Sequence, residues 1–160
     1  MTEIGLVRVD SRLLHGQVVT RWIGQVGARE VIIFDDELSQ DEFMIEVFKM
    51  AAPGGVNLIV KSVNDVENTL SERNLKHTII LFKNIPMLLK GMKANTKIDR
   101  IQIGGIGGGP GRVVVFKNIT LTKDEYDELQ NLVSEGIHVY LQTVPEEKEV
   151  GLKDIENKFK

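Results

Sequence analysis

Short runs of β-branched and apolar residues alternate with longer stretches of helical period along this 160-residue chain, and that alternation restricts the fold it can adopt. Ile4 to Val9, Arg29 to Phe34, Asn57 to Lys61, His77 to Phe82, Arg100 to Ile103 and Ile137 to Gln142 read as strands. Gly16 to Val26, the stretch after Ser39, Val63 to Leu70, the stretch from Ile85-Pro86 and Tyr126 to Val133 have helical spacing. Arg112 to Leu121 reads as extended, and Val150 to Phe159 predicts a C-terminal helix. Strands joined by helices need crossovers, so the expectation is one α/β domain over residues 1–160. Its sheet is open and mostly parallel, with about six or seven strands and helices on both faces.

Local signals sharpen the helix boundaries. Ser39-Gln40-Asp41-Glu42 and Thr122-Lys123-Asp124-Glu125 have the form of capping boxes, in which hydroxyl and carboxylate satisfy each other's exposed amides. Ser62-Val63-Asn64-Asp65 is a weaker variant. After Ser39, the spacing predicts that Phe43, Val47, Phe48 and Met50 line one apolar helical face, ended by Pro53-Gly54-Gly55. Net charge is −3, with no basic excess to suggest nucleic acid. The absence of cysteine excludes disulfides, thiolate nucleophiles and Cys-based zinc sites. The N-terminal stretch lacks the basic start of a secretory signal, and the apolar runs are too short to cross a bilayer. A cytoplasmic, soluble protein is expected.

In an open parallel sheet, ligands sit outside the carboxyl ends of the strands. The first loop there carries Asp10, Ser11, Arg12, Leu13, Leu14 and His15, and a helix begins at Gly16-Gln17. A helix N-terminus favours an anion, and a neutral imidazole is a nucleophile toward phosphorus. His15 is therefore the candidate phosphoryl carrier. Arg12 offers donors to phosphoryl oxygens, and Asp10 an acceptor for a ring N–H. Gly16 and Gln17, with Asp35 and Asp36 after the second strand, are the candidate substrate-binding residues. On these residues alone, a loop-filling histidine, a surface Arg12, a turn-forming Asp10 and a capping role for the acidic pair fit as well.

The stretch Val7-Arg8-Val9-Asp10-Ser11-Arg12-Leu13-Leu14-His15-Gly16-Gln17-Val18-Val19 closely resembles the N-terminal motif of a bacterial family. That family is the IIB component of the mannose/fructose/sorbose class of the phosphoenolpyruvate-dependent sugar phosphotransferase system. Phe34-Asp35-Asp36, Phe48 to Pro53, Gly104-Gly105 and Glu135-Gly136-Ile137 through Gln142-Thr143-Val144-Pro145 extend the likeness over essentially the whole chain. The resemblance implies a phosphotransferase with a phosphohistidine intermediate at His15, in this class usually on Nδ1. A IIA protein would supply the phosphoryl group, and sugar arriving through membrane subunits IIC and IID would receive it. It implies neither metal nor cofactor, and a cytoplasmic location beside the permease. The transported sugar and the oligomeric state, a homo-oligomer included, are not readable. The family usually has Asn near the end of the fifth strand; here Ile101-Gln102-Ile103-Gly104-Gly105 has none, and the glycine run continues to Gly111.

Rival motifs are weaker. The glycine run contains neither a G-x-G-x-x-G nor a P-loop, and it reads as a flexible loop near the site mouth. A phospho-receiver domain would need an aspartate ending the third strand, where Asn57 to Lys61 has none. His77 and His138 read as ordinary strand residues, Trp22 as core, and Arg21, Lys49 and Arg112 as solvated cations. A non-catalytic interaction module is the remaining alternative, and the intact His15 loop argues against it.

Overall fold

The computed structural model describes residues 3–14, 16–93 and 97–160. In chain order the elements are β1 (Leu6–Asp10), α1 (Val18–Val26), β2 (Glu30–Phe34), α2 (Glu42–Ala51) and β3 (Asn57–Lys61). There follow α3 (Val66–Leu70), β4 (Thr78–Phe82), α4 (Ile85–Lys93), β5 (Arg100–Gly105), β6 (Val113–Phe116) and β7 (Ile119–Leu121). α5 (Lys123–Ser134), β8 (His138–Leu141), β9 (Val150–Gly151) and a 3-10 helix over Leu152–Phe159 complete the chain. One seven-stranded sheet runs β3-β2-β4-β1-β5-β8-β9, parallel except for the edge strand β9. The expected α/β architecture with a mostly parallel sheet is therefore present. β6 and β7 form a separate antiparallel hairpin.

Both faces of the sheet are covered, which is why its central strands are almost continuously apolar. Leu6, Val31, Ile33, Ile79 and Leu81 pack with Val19, Trp22 and Ile23 of α1 on one face. Val7, Val9, Ile80, Phe82, Ile101 and Ile103 pack with α3, α4 and α5 on the other. The chain leaves β1 through α1 on the first face, and the stretch after β5 leads to α5 on the second. The carboxyl ends of adjacent β1 and β5 therefore border a switch-point crevice.

Several boundaries differ from the sequence reading. α2 is capped by Asp41, whose Oδ1 accepts from the Met44 amide at 3.0 Å, and not by Ser39. Ser39 lies inside a 3-10 turn, Leu38–Gln40, and donates to the Asp36 carbonyl. With the helix starting later, its buried residue is Phe48, while Phe43 and Met50 are 75% and 83% exposed. The predicted apolar face of α2 is thus divided between core and solvent. The Thr122 capping box forms as expected, with Thr122 Oγ1 accepting from the Glu125 amide and Glu125 Oε1 from the Thr122 amide. The predicted C-terminal α-helix is instead a short strand and a 3-10 helix. In the sheet β4 lies between β1 and β2, which puts β2 about 10 Å from β1.

Candidate active site

At the end of β1, side chains alternate across the sheet, so Leu6, Arg8 and Asp10 share the α1 face while Val7 and Val9 enter the opposite core. A full charge in such a strand must be neutralised and hydrogen-bonded. Arg8, only 1% exposed, meets that requirement completely. Its Nε and Nη2 reach Asp10 Oδ2 at 3.1 Å each, Nη1 donates to Gln102 Oε1 at 2.5 Å, and the Gln142 and Thr143 carbonyls accept at 3.1 Å. The guanidinium also stands 5.6 Å from the Trp22 ring centroid. Burial pulls its pKa below the usual arginine range, and the Asp10 carboxylate opposes that shift.

This brace shapes the loop beyond it. Asp10 Oδ1 accepts from the Arg12 amide at 3.0 Å, the Ser11 amide donates to the Gly105 carbonyl, and the Leu13 amide to the Asp10 carbonyl. Leu13 adopts φ 52, a left-handed conformation that costs a non-glycine residue of order 1 kcal/mol. Burial offsets that strain: Leu13 and Leu14 are each 3% exposed and pack with the α1-side core. They anchor the loop to that core. His15 itself lies outside the described residues. On its far side Gly16 has φ +82, and an added Cβ would stand 2.9 Å from Arg12 Nη2, so the Arg12 head lies over the glycine. Gln17 is the N-cap of α1 without a side-chain cap bond. The exposed Arg12 guanidinium makes no hydrogen bond or ion pair among the described residues.

A cavity of about 110 Å³ opens here, lined by Arg8, Asp10, Arg12, Val18, Gly104, Asn118, Thr143 and Val144. Arg12 and Val18 each stand three residues from position 15 in the chain. Of the candidate residues, the cavity takes Asp10 and Arg12. Asp35 and Asp36 lie elsewhere: Asp35 Oδ2 accepts from the Leu38 amide, and Asp36 Oδ1 from Ser62 Oγ and the Val63 amide. The Ser62 and Val63 bonds, with Lys90 nearby, lower the Asp36 pKa, so the acidic pair stabilises local turns. Asp35 also borders a second cavity of about 210 Å³ on the other side of Arg12, with Ser11, Phe48 and Lys83. Arg21 pairs with Glu146, Lys49 with Glu46 and Arg112 with Glu125. His77 and His138 stand at the amino ends of β4 and β8, away from the carboxyl-end loops.

Sequence reasoning missed the turn after β8 and the β6–β7 hairpin. Trp22 Nε1 donates to the same Thr143 carbonyl that Arg8 holds. Glu147 Oε1 accepts from the Thr143 amide, the Thr143 hydroxyl and the Val144 amide, while Oε2 pairs with Lys117 Nζ at 2.7 Å. Burial alone would raise the Glu147 carboxyl, yet Lys117 and these donors outweigh it and hold the pKa at about 2. A depressed pKa stabilises the fold above the ordinary value of 4.5, and that contribution is lost as pH falls toward 2. Glu147→Gln is therefore expected to be less stable than wild type at pH 7, with the difference closing as pH falls through this window. Thermal melts at stepped pH check this, and a pH-independent difference would contradict it.

Residues 4–160 match the family model of the PTS system sorbose subfamily IIB component. The sorbose-specific EIIB component of Lacticaseibacillus casei is 31% identical over 144 residues, 88% of this chain and 87% of that protein. The mannose-specific EIIAB component of Escherichia coli K12 is 25% identical over 158 residues, 98% of this chain but 49% of that longer protein. Among solved structures, manxB from Thermoanaerobacter tengcongensis superposes with a TM-score of 0.88 at 33% identity, covering 99% of this chain and 98% of that one. The chain belongs to the sorbose-subfamily IIB components of the phosphotransferase system of sugar uptake.

Proposed function

We propose that this IIB component is a single-domain phosphoryl carrier that receives its phosphoryl group on His15 from a IIA protein. It then delivers the group to sugar entering through IIC and IID membrane subunits, docked at the cytoplasmic side of that permease. The observation that carries this reading is an elimination: the chain has no cysteine, and two of its three histidines stand at the amino ends of strands. His15 alone follows the carboxyl end of β1 in the chain, between Arg12 and the start of α1. A IIA partner is supported by the mannose-specific EIIAB relative, whose name joins both components in one chain.

In the first transfer a ring nitrogen of neutral His15 attacks phosphorus, a new P–N bond forms, and the bond that held phosphorus on the IIA donor breaks. The second transfer exchanges the P–N bond on His15 for a P–O bond to a sugar hydroxyl, whose proton passes to the departing imidazole so that it leaves neutral. Such chemistry needs mainly alignment and neutralisation of the phosphoryl oxygens. Arg12 supplies the charged donors, and Asp10 shapes the loop through the Arg12 amide. Gly16 lets the Arg12 head lie close over the start of α1, and Gln17 leaves the first turn of that helix without a side-chain cap. The names of the relatives differ in sugar, so the substrate is set outside the features they share.

Incubation with phosphoenolpyruvate, the general phosphotransferase proteins and a sorbose-class IIA is expected to give an acid-labile label on wild type. That label should vanish in His15→Ala. Label that persists in His15→Ala, or that resists acid, would contradict the reading.

No described helix is long and apolar enough to cross a membrane.

A further inference from the structure

The glycine-rich stretch after β5 is fixed at both ends. The Ile106 amide donates to the Asn118 carbonyl and the Thr120 amide to the Ile106 carbonyl, while Thr120 Oγ1 donates to the Gly107 carbonyl at 2.7 Å. Arg112 binds Thr120 and Glu125, fixing the base of the hairpin to the start of α5. The hairpin returns the chain to the switch-point crevice, and its tip is Lys117-Asn118. Lys117 has φ 48, which turns the tip sharply, and its ammonium is tied to Glu147 across the crevice.

The geometry points to Asn118 as a ligand of the transferred phosphoryl group, donating an N–H to one of its oxygens in the cavity that Arg12 also lines. This inference rests on the carrier reading above and adds a residue to it. Asn118 lines the same 110 Å³ cavity as Arg12, Asp10 and Val18. A Cβ added at Gly105 would lie 3.4 Å from Asn118 Nδ2 and 3.5 Å from Asp10 Oδ1, so the two side chains converge over that glycine. The exposed Asn118 amide makes no hydrogen bond among the described residues, although its backbone is held at the carbonyl and its neighbour by an ion pair. A free donor on a fixed backbone is what a charge-rich, briefly held ligand requires. The side chain is neutral, so it stabilises phosphoryl oxygens without adding a charge that would hinder onward transfer. It gives up no proton: in each transfer one bond to phosphorus forms and one breaks.

The test uses the whole protein and the relay described above, with phosphorylated sorbose-class IIA as donor. Single-turnover labelling should be about 10-fold slower in Asn118→Ala, the loss of one hydrogen bond to a charged group. It should be about 100-fold slower in Asn118→Asp, which replaces the donor with a like charge. In 1H–15N spectra, the Asn118 side-chain amide, assigned by its loss in Asn118→Ala, should shift downfield on phosphorylation of wild type. A purely structural role would slow Asn118→Asp no more than Asn118→Ala and leave that amide unmoved. Unchanged rates in both variants, or an amide that does not move, overturn this inference while the carrier reading stands. A wild type that takes no label overturns both.

Discussion

Arg8→Met is expected to cost about 3–5 kcal/mol of folding stability, the range for removing one partner of a buried ion pair. Methionine keeps much of the length and apolar volume, so the loss would measure charge and hydrogen bonding more than packing. In its absence the Asp10 carboxylate, 5% exposed, loses its counter-ion, and the Gln102 oxygen and the Gln142 carbonyl lose a donor. Among the described residues the Thr143 carbonyl keeps Trp22 alone. The midpoint of thermal unfolding should fall by on the order of 10 °C. Arg8→Met combined with Asp10→Asn should recover part of the loss, because the variant carboxamide removes the unpaired charge. Additive costs in the double variant would show that the Arg8–Asp10 pair is not coupled. Phosphoryl acceptance should fall as well, since Asp10 fixes the Arg12 amide at the cavity wall.

Much of this arrangement is legible in the sequence, and the remainder is hidden for identifiable reasons. The order of strands and helices follows from residue periodicity, and the loop after β1 is marked by its place at a carboxyl end. Arg8 left a signal too: a charge in the middle of Leu6-Val7-Arg8-Val9, in a strand buried on both faces, demands a partner. Asp10, two residues on and therefore on the same face, is that partner. Gln102 carries the same signal within Ile101-Gln102-Ile103, and its side-chain oxygen meets the Arg8 guanidinium. The start of α2 departs from the Ser39 cap that the sequence predicts, because an aspartate two residues on is an equally good cap. The local bonds from the Leu38 and Ser39 amides back to Asp35 draw Ser39 into the preceding turn and leave the cap to Asp41. Asn118 left no local signal, because it gains its place only when the hairpin reaches the crevice, and Glu147, held by Thr143 and Val144 within its own turn, meets Lys117 only there.

Gly104→Ala should be nearly as damaging as loss of Arg8, because the brace occupies the space a side chain would need. A Cβ built on Gly104 would lie 2.0 Å from Arg8 Cζ and 2.4 Å from both Nε and Nη1, far inside van der Waals contact. The β1–β5 register explains why the glycine is there: Val9 faces Ile103 and Asp10 faces Gly105, so Gly104 is the extra residue of a bulge beside Arg8. The guanidinium is a planar group held by four hydrogen bonds and an ion-pair contact in a dry site, not the loose end of a solvated chain, and it cannot swing aside without breaking them. Overpacking of this kind costs about 1–3 kcal/mol, to which the lost bonds add. Transfer should slow by about 100-fold if the Thr143 turn and Asp10 move by an ångström. A double-mutant cycle isolates the cause. With Arg8→Ala in the background the space is vacant, so adding Gly104→Ala should change stability little. An equal penalty in both backgrounds would show that Gly104 is required for its backbone, and that the contact with Arg8 is incidental.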